Sequence, residues 1–186
     1  MIKDSMDKTN LDRNDIFNIP DSVLPMPVFS DNMTSFFSCA IKAHEDGYYN
    51  HFMWLIGQNT FASQDWIFTM DSVGDYLDRC RLKFWYCHSW SESDRRKIKN
   101  SIIDDLGRPW WQRLFDPIAI IGQAIECPWI QTPGMDICSD KGKYLKIADP
   151  KYNLNRPSPA DINKWFIANS IDHGGNYEVY GRYTPD

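Results

Sequence analysis

Five cysteines and four histidines hold most of the nucleophilic and proton-transfer potential of this chain. Cys138 stands out by its surroundings. It follows a loop containing Pro133 and Gly134 and heads the stretch CSDKGKYLKIAD, whose pattern predicts a helix. A helix N-terminus favours a thiolate over a thiol. Such a nucleophile also needs an imidazole to take its proton. The candidates are His44, His51, His88 and His173. His51 opens the apolar run FMWLIG, so a rigid strand would hold it. His44 falls on the polar face of a predicted helix, and His173 precedes two glycines. His88 adjoins Cys87 on one strand, so the two side chains point to opposite faces and make no dyad. The ordinary alternatives are a hydrogen-bonded strand histidine and a cysteine that serves as a small buried hydrophobe.

The elements that must position these groups belong to one domain. The chain has 186 residues, which suits a single core of ordinary size. A hydrophobic fraction of 42%, an aromatic fraction of 15% and eight Trp exclude a disordered chain. The net charge of −5 argues against a protein built to grip nucleic acid. The apolar runs at 52–57 and 118–122 are too short to span a bilayer. The opening MIKDSMDKTNLDRND has no apolar segment after its first lysine, so no signal peptide is expected and the default location is cytoplasmic. The cysteines Cys39, Cys80, Cys87, Cys127 and Cys138 are odd in number and widely spread, without a C-x-x-C pair. Neither a disulfide framework nor a zinc site is expected, and no metal or cofactor is implied.

Along the chain, residues 1–20 are polar and read as a flexible arm, leaving 21–186 as the folded domain. The two prolines of DSVLPMPVFS suggest an edge strand or an extended lead-in. A helix is predicted over 34–45. Strands over 48–57 and 60–70, joined at Gln58-Asn59, form a hairpin. A short helical turn at 71–79 and a strand over 81–90 follow. The clearest helix covers 93–106, capped by Ser91 or Ser93, with Ile98, Ile102 and Leu106 on one face and Gly107 at its end. An apolar helical stretch covers 108–125, broken near Pro117. Ser158-Pro159-Ala160-Asp161 caps a last helix. A strand at 177–180 closes the chain. The basic cluster Arg95, Arg96, Lys97 and Lys99 reads as a solvated helix face. The order gives an α+β fold, an antiparallel sheet packed against helices.

Four stretches, taken together and in order, resemble the circularly permuted papain-fold amidases and peptidases of the NlpC-like superfamily of cysteine hydrolases. SFFSCAIKAHEDGYYNHFMWLIG resembles the family's helix, aromatic segment, catalytic His and Gly-terminated strand. SESDRRKIKNSIIDDLGRPWW resembles its amphipathic helix, loop and aromatic. MDICSDKGKYL resembles its nucleophile segment, and RPSPADINKW its Pro-capped closing helix. The resemblance covers roughly residues 22–168. It implies a permuted papain-like fold in which His51 precedes Cys138 in the chain, an order that triad geometry permits. It also implies a third polar residue on the strand after His51, with Ser63, Gln64 and Asp65 as the options and Gln64 preferred. Tyr49 and Trp110 are the implied substrate-binding residues.

The resemblance thus implies a cysteine hydrolase without metal or cofactor. Cys138 attacks an amide, peptide or acyl ester carbonyl, His51 is the general base and Gln64 orients it. Peptides, peptidoglycan-type bonds or lipid acyl groups are the implied substrates. Three departures favour an alternative, a decayed fold serving as a protein-binding, virion or structural module. The first strand lacks a Gly-Asp pair, Trp110-Trp111 replace the family tyrosine, and Asp140 replaces the Glu after Cys-Ser.

Overall fold

A computed structural model describes residues 10–32, 49–119, 132, 135–155 and 157–185. The helix expected over 34–45, with His44 and Cys39, lies outside the described residues, as does Cys127.

The strand His51–Gly57 (β2) explains the architecture. Its apolar run is continuous because both of its faces are covered. Phe52, Trp54 and Ile56 enter one core cluster, while Met53 and Leu55 enter another on the opposite face. Beside it lie β1 (Met26–Asn32), β3 (Thr60–Gln64), β4 (Phe68–Ser72), β5 (Cys80–Cys87) and β6 (Tyr177–Tyr183). They form one six-stranded sheet in the order β4-β3-β2-β1-β5-β6, antiparallel at every pairing. β1 therefore sits inside the sheet, paired with both β2 and β5, and not at an edge as its prolines suggested. The expected strand over 60–70 is two strands, because the chain turns back between Gln64 and Phe68.

One face is covered by the N-terminal residues. Helix α1 (Arg13–Phe17) is capped by Asp12, and Leu11, Ile16 and Ile19 are buried with Val23 and Leu24. The Leu11 amide donates to the Arg182 carbonyl at 2.7 Å, beside β6. The described end of the expected flexible arm is thus part of the core. The short α2 (Gly74–Leu77) adds Tyr76 and Leu77 to the same face.

The other face carries α3 (Glu92–Leu106), a 3₁₀ segment Cys138–Ile147 and α4 (Pro159–Ala168). The caps of α3 and α4 follow the sequence: Ser91 with Asp94, and Ser158 with Asp161 after which Pro159 starts the helix. Ile98 and Ile102 are fully buried. Arg95 departs from the solvated cluster. It lies buried and donates to the Val23 and Cys87 carbonyls at 2.6 and 2.9 Å, its guanidinium 4.6 Å from the Tyr86 ring centre. No helix among the described residues is long and apolar enough to cross a membrane.

Candidate functional site

Cys138 starts the 3₁₀ segment, which is anchored to β2 by Trp54. The indole Nε1 of Trp54 donates to the Lys141 carbonyl at 3.0 Å. Ion pairs fix the segment's other side, Lys141 to Asp136 at 2.7 Å and Lys143 to Asp105 at 2.8 Å, while the Tyr144 hydroxyl donates to Asp105. A 3₁₀ run of this length is uncommon. Here tertiary bonds along its length hold it.

The sulfur of Cys138 is nearly sealed, with the residue 8% exposed. Burial pushes its pKa up to about 12, opposed by the backbone N–H groups of Phe52 and Ser139. Phe52 directly follows His51, so the thiol meets the β2 backbone one residue from the histidine, whose own side chain has the strand parity of Met53 and Leu55, on the face away from the 3₁₀ segment. Asp65 raises the pKa of both Cys138 and His51 through its charge.

His51 opens β2. Its Nε2 lies 2.8 Å from Ser63 Oγ and 3.6 Å from Asp65 Oδ1. Both contacts use the same nitrogen, and Nδ1 is engaged by no side chain among the described residues. Desolvation lowers the imidazole pKa below its ordinary 6.5, against the charges of Asp65 and Asp71. At neutral pH burial thus favours the uncharged form of both the Cys138 thiol and the His51 imidazole. No hydrogen bond joins them; the bonds of His51 run to the β3 side.

Gln64 does not touch the histidine. Its amide Nε2 donates to the Arg113 carbonyl at 2.9 Å. Strand alternation is the reason: Ser63 and Asp65 project to the face of His51, and Gln64 to the other. Ser63 and Asp65, the options set second to Gln64, are the groups at the imidazole. Tyr76, which no sequence motif marks as a site residue, places its hydroxyl 2.8 Å from Ser63 Oγ, 3.0 Å from Asp71 and 3.4 Å from Asp65. Its helical turn after β4 carried the only local signal.

Tyr49 stands half-buried beside Phe29, ring centres 5.9 Å apart, with Lys83 Nζ 5.7 Å from its ring. Trp110 is 58% exposed and packs edge-on against Trp111. Two adjoining clefts, about 260 and 380 Å³, share Leu154, Asn155 and Pro157. The first reaches Ser139 and Asp140, but neither is lined by Cys138, His51, Tyr49 or Trp110. The other two described histidines are engaged elsewhere, His88 with Glu178 at 2.7 Å and His173 with Ser170 at 3.1 Å. No group of three or more metal-ligating side chains occurs among the described residues.

No protein-family model matches the chain, and no curated protein matches it.

Proposed function

We propose that the chain is a cysteine hydrolase on a permuted papain-like fold, with Cys138 as nucleophile and His51 as general base. The observation that carries this reading is the approach of the Cys138 thiol to the β2 backbone one residue from His51, whose Nε2 is tied to Ser63 and Asp65 while Nδ1 is engaged by no side chain among the described residues. A neutral imidazole can take the thiol proton through Nδ1 as sulfur attacks a carbonyl, and return it to the leaving group. The Cys138 backbone N–H, at the start of the helical segment, is one donor for the developing oxyanion. Ser63 and Asp65 orient the histidine, the role expected of Gln64. The substrate is an amide, peptide or acyl ester. Peptide, peptidoglycan-type and lipid acyl groups come from the sequence resemblance.

A second reading, a non-catalytic binding module, is favoured by one observation. The thiol is sealed and strongly protonated, and both clefts open elsewhere. Incubation with an activated acyl ester and mass spectrometry of the intact chain separates the two. The hydrolase gives one acyl adduct mapped to Cys138, lost in Cys138→Ser and slowed by a factor of about 10² or more in His51→Ala. An adduct that is absent, or indifferent to His51→Ala, leaves the binding module.

A further inference from the structure

The contacts of His51 continue beyond Ser63. Ser63 Oγ lies 2.8 Å from His51 Nε2 and 2.8 Å from Tyr76 Oη, and Tyr76 Oη lies 3.0 Å from Asp71 Oδ2. Each hydroxyl has one proton to give. Tyr76 has three acceptors in reach, the Ser63 oxygen and the carboxylates of Asp71 and Asp65. A charge-assisted bond is the stronger, and Asp71 is the nearer carboxylate, so the Tyr76 proton goes to Asp71. The Ser63–Tyr76 contact then needs the Ser63 proton, and the Ser63–His51 contact needs a proton on Nε2.

We propose that Tyr76 and Asp71 are positioning residues: with Ser63 they form a one-way hydrogen-bond relay that keeps the His51 proton on Nε2 and leaves Nδ1 as the base. As a role in catalysis this rests on the hydrolase reading; as a statement about the tautomer it stands alone. The relay lets a carboxylate act on the imidazole through two hydroxyls. Asp65 assists by charge, 3.6 Å from Nε2. Burial raises the pKa of both Asp71 and Tyr76; against it, the Tyr76 bond favours ionised Asp71, and the Ser63 bond favours a negative Tyr76 oxygen, as a donor to it would. Tyr76 is held in place by burial, by an edge-on contact with Phe61 at 5.3 Å and by Arg79 at 5.4 Å from its ring.

The test is nitrogen-15 NMR of the histidine rings in the full chain at neutral pH, where the two nitrogens of a neutral imidazole are distinguishable. The expected result is His51 with hydrogen on Nε2, preferred about 10-fold, the worth of one good hydrogen bond. In Tyr76→Phe the Ser63 proton loses its acceptor and can turn to Nε2, so the ratio falls to roughly even. Asp71→Asn moves it in the same direction and, at a partly exposed site, serves where Tyr76→Phe fails to fold. Hydrogen on Nδ1 in the unaltered protein overturns the relay, and so does an unchanged ratio in either folded variant. If the tautomer behaves as stated but no Cys138 acyl adduct forms, the relay stands and the hydrolase reading fails. An adduct with the wrong tautomer gives the reverse.

Discussion

Ser63 Oγ lies 2.8 Å from His51 Nε2, across neighbouring strands of one sheet. A short hydroxyl here orients the imidazole without bringing a charge of its own to the ring. Charge comes from Asp65, 3.6 Å from the same nitrogen. Burial outweighs it and the histidine rests neutral. On the proposed hydrolase reading, the expected chemistry is therefore a concerted proton transfer from thiol to imidazole, not a standing thiolate–imidazolium pair.

That distinction sets the pH profile of Cys138 alkylation by iodoacetamide. An ion pair would react well in mild acid. A neutral pair reacts only when His51 is unprotonated, so the rate rises through a value below 6.5 and then runs level across neutral pH. It climbs again in strong alkali as the thiol itself ionises towards about 12. In His51→Ala the lower rise disappears and only the alkaline limb remains. Rates per site from peptide mass spectrometry check this. A profile in His51→Ala identical to that of the unaltered chain refutes the pairing.

His51 also makes stability depend on pH. Its folded pKa lies below the unfolded 6.5, so between those values the unfolded chain binds more protons. Stability is fully present above pH 6.5 and declines as pH falls towards the folded value. Urea unfolding in steps from pH 8 to 5.5 is expected to show a slope that His51→Gln flattens. An unchanged slope assigns the effect to other groups.

Burial lowers the pKa of two described lysines, Lys141 and Lys83; Lys83 is the one without a carboxylate bonded to its Nζ. Burial lowers its pKa to about 8, helped by the charge of Arg182, although Nζ keeps a bond to Asn163 Oδ1 at 3.2 Å. Its Nζ is 4.4 Å from the Trp85 ring centre, which favours the cation but does not replace lost water. Carbon-13 NMR of reductively methylated protein should show one lysine titrating near 8, absent in Lys83→Met. All lysines titrating near 10.5 would contradict the burial argument.

The α+β layout was legible because its signals are local. β2 reads as a doubly covered strand from its unbroken apolar run, and Ser91, Ser158 and Pro159 mark two helix starts by chemistry that needs no tertiary partner. Most of the differences share a cause: they were decided by contacts distant in sequence. Leu11, Ile16 and Ile19 are a minority in a polar segment, and only the sheet face they cover makes them core. Arg95 sits in a basic run, and the Val23 and Cys87 carbonyls draw it inside. Gln64 was preferred over Ser63 for its amide, whereas strand parity decides which one faces His51. That parity was readable: Ser63 shares its face with Phe61, which packs with Met53 and Leu55, and His51 shares parity with those two. Tyr76 was not readable, since no local pattern ties the turn after β4 to a histidine on β2.

The last prediction concerns how the Cys138 segment seats on α4. A methyl group at Gly142 would fall on the Tyr152 hydroxyl and press Ile162 Cδ1 at 3.0 Å. Tyr152 is 2% exposed and its hydroxyl has no hydrogen-bond partner among the described residues. Tyr152→Phe removes only that buried oxygen, so it should change stability by less than about 1 kcal/mol. Gly142→Ala alone should cost about 1–3 kcal/mol by overpacking. In the double variant the missing oxygen leaves room for the methyl, and more than half of the loss should return. The two residues touch, so non-additivity is the signature of contact. Thermal or urea unfolding of the four proteins completes the cycle. Additive effects would mean that Gly142 is required by the Ile162 contact or the backbone of the 3₁₀ segment, and not by Tyr152.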